Sequence, residues 1–153
     1  MEKIQKISLL LLRVSLGWVF FYAGITKVLN PAWSAAGYLS SAKTFPNFFQ
    51  WLTNPNILPF TNFINEWGLT LLGASLILGV GMKLSTILGA ILMLLYYFPI
   101  LEFPHIPEAH AYIVDEHIVY AITLIVLGKM RAGKIYSLES WFAKIPVLGR
   151  LVG

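Results

Sequence analysis

Asp115, Glu116 and His117 stand immediately before an apolar run, Ile118 to Gly128, that closes on Lys129. Counting back from Lys129 at the helical rise, Asp115 lies roughly 21 Å up the axis. A helix that crosses a bilayer needs about 20 residues. A crossing here therefore carries the ionisable cluster below the headgroups. Charges so placed are costly and usually have partners or a function. Two other stretches offer a charge at a similar level, with Glu66 about 25 Å from Lys83 and Lys27 about 30 Å from Ile7. Arg13 lies only about 9 Å from Ile7, in the opposite half.

Spacing sorts these residues onto helix faces. Arg13, Gly17, Phe20, Gly24 and Lys27 recur at intervals of four, three, four and three. On a structural reading the glycines allow close helix packing while the cations snorkel. On a functional reading Lys27 or Arg13 binds an anion. Glu66, Thr70 and Gly73 share one face of the second apolar stretch, and Gly68, Ser75 and Gly79 another. Glu66 is either a helix-start carboxylate favoured by the dipole or a buried partner of Lys27. Gly89, Met93 and Tyr96 share a face of the third stretch, with Tyr97 beside it. In the fourth, Tyr112, Glu116, Tyr120 and Thr123 form a polar stripe flanked by Asp115 and His117.

A polar stripe turned to lipid is unfavourable, so it is expected to face the other helices. With Lys27 and Glu66 it outlines a pocket in the outer half, walled by Tyr22, Trp67, Tyr96 and Tyr97. Aromatic walls with a few converging polar groups suit a flat, polar-edged, lipid-soluble molecule. Quinones fit that description. Glu66, Asp115 and His117 are the candidates for the two protons that quinone reduction consumes. Lys27, Arg13, Glu116, Tyr120 and Tyr96 are the binding candidates. His105, His110 and His117 lie among Glu102, Glu108, Asp115 and Glu116, but their spacing matches no strong ligand motif. Neither metal nor haem is expected.

The elements that must hold these groups follow from composition. The 153 residues are 58% hydrophobic and 12% charged, with a mean hydropathy of +0.73. Soluble domains carry about 25% charge, so the chain is expected to be one integral membrane domain. Absence of Cys excludes thiolate chemistry and Cys-ligated metal within the chain. The basic residues cluster at the ends of apolar segments, which is a membrane pattern and not a nucleic-acid one. An all-α bundle of four membrane helices is predicted, over about 7–29, 63–82, 84–101 and 111–128. The Lys3 and Lys6 start resembles a signal peptide, but Arg13 and the length of the run argue for a retained helix.

Lys3, Lys6, Lys83, Lys129, Arg131, Lys134, Lys144 and Arg150 mark one side, and the segment before the fourth stretch has only acids. Positive-inside then places both termini in the cytoplasm of a multi-pass cell-membrane protein. The outer connection, residues 30–62, holds Trp33, Tyr38, Phe45, Phe48, Phe49, Trp51 and Phe60 with Lys43 as its one charge. Such a segment is expected at the interface or capping the bundle. Residues 135–153 read as an inner-face amphipathic tail.

Four pieces carry a family resemblance: Arg13, Gly17, Phe21, Gly24 and Lys27; the run Glu66 to Leu71; Val114-Asp115-Glu116-His117-Ile118; and Ala132 to Leu138, with Ser137 and Glu139 departing from the usual pattern. Through them the chain resembles the DoxX family, specifically its branch similar to DoxD, the membrane subunit of archaeal thiosulfate:quinone oxidoreductase. The resemblance implies four membrane helices and redox partners, not one reaction. Two functions are carried forward. One is a membrane subunit that passes electrons from an outside donor, such as thiosulfate, to a quinone. The other is a non-catalytic accessory subunit of a larger membrane complex, its charges serving as structural pairs. A transporter is disfavoured, because one polar cluster on one side outlines no path across the bilayer. Lipids, a protein partner and quinone are the expected partners, and nucleic acid is not.

Overall fold

The computed structural model describes residues 2–101 and 113–138. Their regular structure is helical: α1 (Lys3–Val28), α2 (Ala36–Ser40), α3 (Pro46–Leu52), α4 (Leu58–Leu78), α5 (Met82–Ile100) and α6 (Glu116–Lys129). A 3-10 turn, Ala132–Lys134, follows α6. By length and hydropathy α1 and α5 are long and apolar enough to cross a membrane. α6 has 14 residues, or about 21 Å, against a hydrocarbon core of about 30 Å.

Local chemistry moves some boundaries from their expected places. α4 begins at Leu58 and not near residue 63, because Pro59 sits in its first turn. There the missing N–H leaves no bond unmade. α4 ends before Gly79, and Gly79 and Gly81 both take left-handed φ values, 71° and 65°. That turn makes the tight hairpin into α5. Pro99 does not break α5 but lies in its last turn. α6 starts at Glu116 and not near Ala111, since Asp115 is its N-cap and accepts the Ile118 N–H at 3.2 Å. Of the expected tail, residues 139–153 lie outside the described residues, as do Glu102, His105, Glu108, His110 and Tyr112.

Small residues set the packing. A side chain at Gly24 would collide with the backbone of Thr70 and Glu66, and one at Gly17 with Leu76 and Gly73. Rising numbers on α1 thus meet falling numbers on α4, and the two run antiparallel in close contact. α5 and α6 pair the same way, Gly89 against Leu124 and Gly128 against Thr86. Leu72 of α4 reaches Gly89 and joins the two pairs. Phe20, Leu69, Leu76, Met93, Leu124 and Leu127 fill the core between them. The outside is apolar too: Leu11, Trp18, Leu71, Leu88 and Ile122 are each more than half exposed. Such a surface suits a membrane or a partner and not bulk water.

The aromatic connection folds over the end of this body where α1 and α5 finish. Leu39, Ala42 and Phe49 form a second small core with Trp33, Leu52 and Phe98. The cap hydrogen-bonds backbone carbonyls at the end of α5 and just beyond it, where helical donors run out. The Tyr38 hydroxyl donates to Tyr96 O at 2.5 Å, the Lys43 N–H to Pro99 O at 3.1 Å, and the Thr44 hydroxyl to Leu101 O at 2.7 Å.

Candidate functional site

The ends of α4, α5 and α6 meet beneath the cap, and their polar side chains connect. His117 Nδ1 and Asp115 Oδ2 are 2.6 Å apart, and the Asp115 side chain is only 9% exposed. Asp115 uses its second oxygen to cap α6. The His117 ring meets the Tyr96 ring edge-on, with centroids 5.8 Å apart. The Tyr96 hydroxyl donates to Asn65 Oδ1, and Asn65 Nδ2 donates to Thr61 O at 2.7 Å. Tyr97 closes one side, its hydroxyl donating to Ile113 O at 2.5 Å. The cap contributes Tyr38, whose phenol is pushed up to about 12 by burial and by the Asp115 carboxylate. The cluster therefore brings together an imidazole–carboxylate pair, an amide and three phenols.

A hydrogen bond at Nδ1 fixes the tautomer, so proton exchange falls to Nε2. Asp115 holds the ring in place through Nδ1. The pair is thus equipped to hold a proton and deliver it, with the Tyr96 face beside it.

The other expected residues are arranged differently. Lys27 is half-buried and holds its ammonium 5.4 Å from the Trp33 ring centroid, a cation–π contact with the cap. Among the described residues no ion pair joins it to Glu66. The Glu66 carbonyl accepts the Thr70 hydroxyl at 2.7 Å and lies against Gly24, so this stretch is used first for packing. Glu116 is exposed, with its carboxylate beside Tyr120. Tyr120 meets Phe20 edge-on at 5.6 Å. Tyr22 and Trp67, expected as pocket walls, point outward at 59% and 40% exposure.

Arg13 is at the opposite end and is 1% exposed. Its guanidinium donates to Ala132 O at 2.7 Å, Ile135 O at 3.0 Å and Tyr136 O at 3.3 Å. It does not reach a membrane surface by snorkelling. It pins the turn after α6 onto α1.

Two members of the cluster, Asn65 and Tyr38, were not singled out in the sequence. An amide inside an apolar stretch is a readable signal, but Glu66 beside it carries the stronger one. Tyr38 is one of seven aromatics in the outer connection, and nothing in the spacing sets it apart.

The sequence model of the DoxX family matches residues 8–100. The chain belongs to the DoxX family. DoxX is a membrane family often linked to oxidoreductase-related functions. No curated protein and no solved structure matches the chain. The DoxX match takes in α1 to α5, and with them Arg13, Lys27, Asn65, Glu66 and Tyr96. α6 lies beyond it, so His117 of the Asp115–His117 pair meets Tyr96 across the edge of the DoxX match.

Proposed function

We propose that this DoxX chain is the membrane subunit of a quinone-linked oxidoreductase, of the DoxD-like kind whose donor is thiosulfate. In this reading α1, α4, α5 and α6 form an integral four-helix bundle in the cell membrane, with both termini cytoplasmic. The observation that carries the reading is the largely buried Asp115–His117 pair set against Tyr96. When bound, a quinone takes two electrons and two protons to become a quinol. The residues present suit such a molecule: the Tyr96 ring offers an aromatic surface, and His117 with Asn65 offers donors and acceptors at its edge. In this reading His117 Nε2 delivers a proton, and Asp115 orients the imidazole through Nδ1. Tyr38 stays protonated and holds the cap over the end of α5. The electrons come from a donor oxidised on a partner subunit outside the membrane. Lys27 and Glu66 lie toward the same end and serve anion binding and proton uptake.

The test is quinone reduction by the complex carrying Asp115→Asn or His117→Gln, with folding checked by circular dichroism. A fall of roughly 100-fold or more in rate is expected from loss of a general acid. Rates like the unaltered protein in both variants would sink the assignment.

A second reading is favoured by the cap. Phe45, Phe48 and Trp51 are exposed at 62%, 47% and 56%. An aromatic patch of this kind suits a protein interface, and the buried Arg13, bonded to backbone carbonyls, fits a structural role for charge. The chain would then be an accessory subunit of a larger respiratory or other energy-transducing complex. Native mass spectrometry of the gently extracted protein separates the two readings. A retained quinone with one small partner supports the first. A large assembly with no quinone on this chain supports the second.

A further inference from the structure

A groove of about 850 Å³ opens between the start of α5 and the end of α6, at the end of the molecule opposite the polar cluster. Its rim carries Lys83, Lys129, Arg131 and Lys134, and among the described residues no acid lines it. All four cations are exposed. Its floor is closed, because Gly128 packs so tightly on Thr86 that a Cβ there would lie 2.6 Å from the hydroxyl. About one turn further toward the middle of the helices stand Ile87 and Ile125, 53% and 51% exposed. One end of the groove is therefore cationic and the other apolar, along the direction of the helices.

Like charges crowded on one rim repel each other and call for a counter-anion. The chain offers a poor one: residues 139–153 contain one acid, Glu139, against Lys144 and Arg150. Free phosphate would meet the cations but leave the isoleucines uncovered. An amphiphile with an anionic head and an apolar tail satisfies both ends at once. Basic pockets between membrane helices on the cytoplasmic side have this character. Arg13 holds the site in shape, because its three hydrogen bonds fix the turn that carries Arg131 and Lys134.

We propose that this groove is a binding site for an anionic phospholipid, its phosphate between Lys83, Lys129 and Lys134 and an acyl chain along Ile87 and Ile125. The site rests on the membrane reading alone and needs no chemistry at the cluster beneath the cap. The test is native mass spectrometry of the full chain, delipidated in detergent and titrated with dioleoyl phosphatidylglycerol or with dioleoyl phosphatidylcholine. Phosphatidylglycerol is expected to bind more tightly. The variant Lys83→Gln/Lys129→Gln/Lys134→Gln should lose on the order of 100-fold in that binding, at roughly fivefold per cation. A control, Lys3→Gln/Lys6→Gln, removes charge outside the groove and should bind as before. Equal losses in both variants would mean general attraction to a basic end and would overturn the site. Equal binding of the two lipids would overturn it as well. Displacement of the lipid by millimolar inorganic phosphate would make it a free-anion site instead. Since the replaced lysines are exposed, folding is expected to survive, and circular dichroism of each variant checks it.

Discussion

At the scale of single residues, charges that look equivalent in the sequence do different work. Arg13 and Lys27 lie on one face of one helix, yet Arg13 is locked to three carbonyls while Lys27 rests over an aromatic ring. Removing Arg13 leaves carbonyl groups buried without donors. Arg13→Ala should cost about 3 kcal/mol, seen as a lower unfolding midpoint in detergent. Arg13→Lys keeps the charge but loses the planar fork, so it should recover only part of that loss. A variant with unchanged stability would show that the turn holds without it. Tyr38 supplies a pH prediction. Its phenol is raised from 10 to about 12 by burial and by Asp115, so the folded state favours the neutral form. The stabilisation is complete below about pH 10 and is lost as pH rises through about 12. Replacing the charge in Asp115→Asn should lower the phenol, read as the tyrosinate absorbance that Tyr38→Phe removes. No movement of that titration would separate Asp115 from the cap. Heights of charged residues were legible in the sequence because helical rise is fixed. Their rotation about each helix was not, and rotation decides that His117 meets Tyr96 while Lys27 turns to Trp33.

At the scale of elements, glycines decide which faces meet. The face of α4 holding Glu66, Thr70 and Gly73 packs on α1, and Gly73 lies against the backbone of Phe21 and Gly17. Gly68, grouped by spacing with Ser75 and Gly79, has, among the described residues, only Ile64 of its own helix near it, at 3.8 Å. Gly73→Ala and Gly24→Ala should therefore each destabilise by about 2 kcal/mol or more, since backbone and not a flexible side chain stands in the way. Gly68→Ala should be neutral or stabilise by up to about 1 kcal/mol through helix propensity. Thermal unfolding of the three variants checks the contrast, and equal losses in all three would contradict this packing. The apolar runs placed α1 and α5 correctly because continuous hydrophobicity is a strong signal. The starts of α4 and α6 were less legible. Pro59 and Asp115 both act as helix starters here, and a proline or an acid beside an apolar run reads equally well as a break or as a membrane boundary.

At the scale of the whole molecule, the two ends have opposite character. One end carries the cap, the Asp115–His117 pair and the exposed aromatics. The other carries Lys83, Lys129, Arg131 and Lys134 around one groove. On the positive-inside rule, the proposed orientation puts the basic end in the cytoplasm. α6, with 14 residues, is too short to cross unaided. Gly128 at its end packs on Thr86 near the start of α5, so Lys134 must lie on the same side as Lys83 whatever the bilayer does around α6. In the proposed crossing, lipid thinning makes up the missing length. The absence of Cys makes this directly measurable, since any single introduced thiol is the only one in the chain. Asn54→Cys, on the exposed cap, should react with a membrane-impermeant maleimide added to intact cells. Lys83→Cys and Lys134→Cys should react only after permeabilisation, and they should do so together. Labelling of Lys83→Cys from outside would invert the orientation and move the polar cluster to the cytoplasmic side. Labelling of Lys83→Cys and Lys134→Cys from opposite sides would contradict the α5–α6 pairing itself, and with it the placement of His117 against Tyr96.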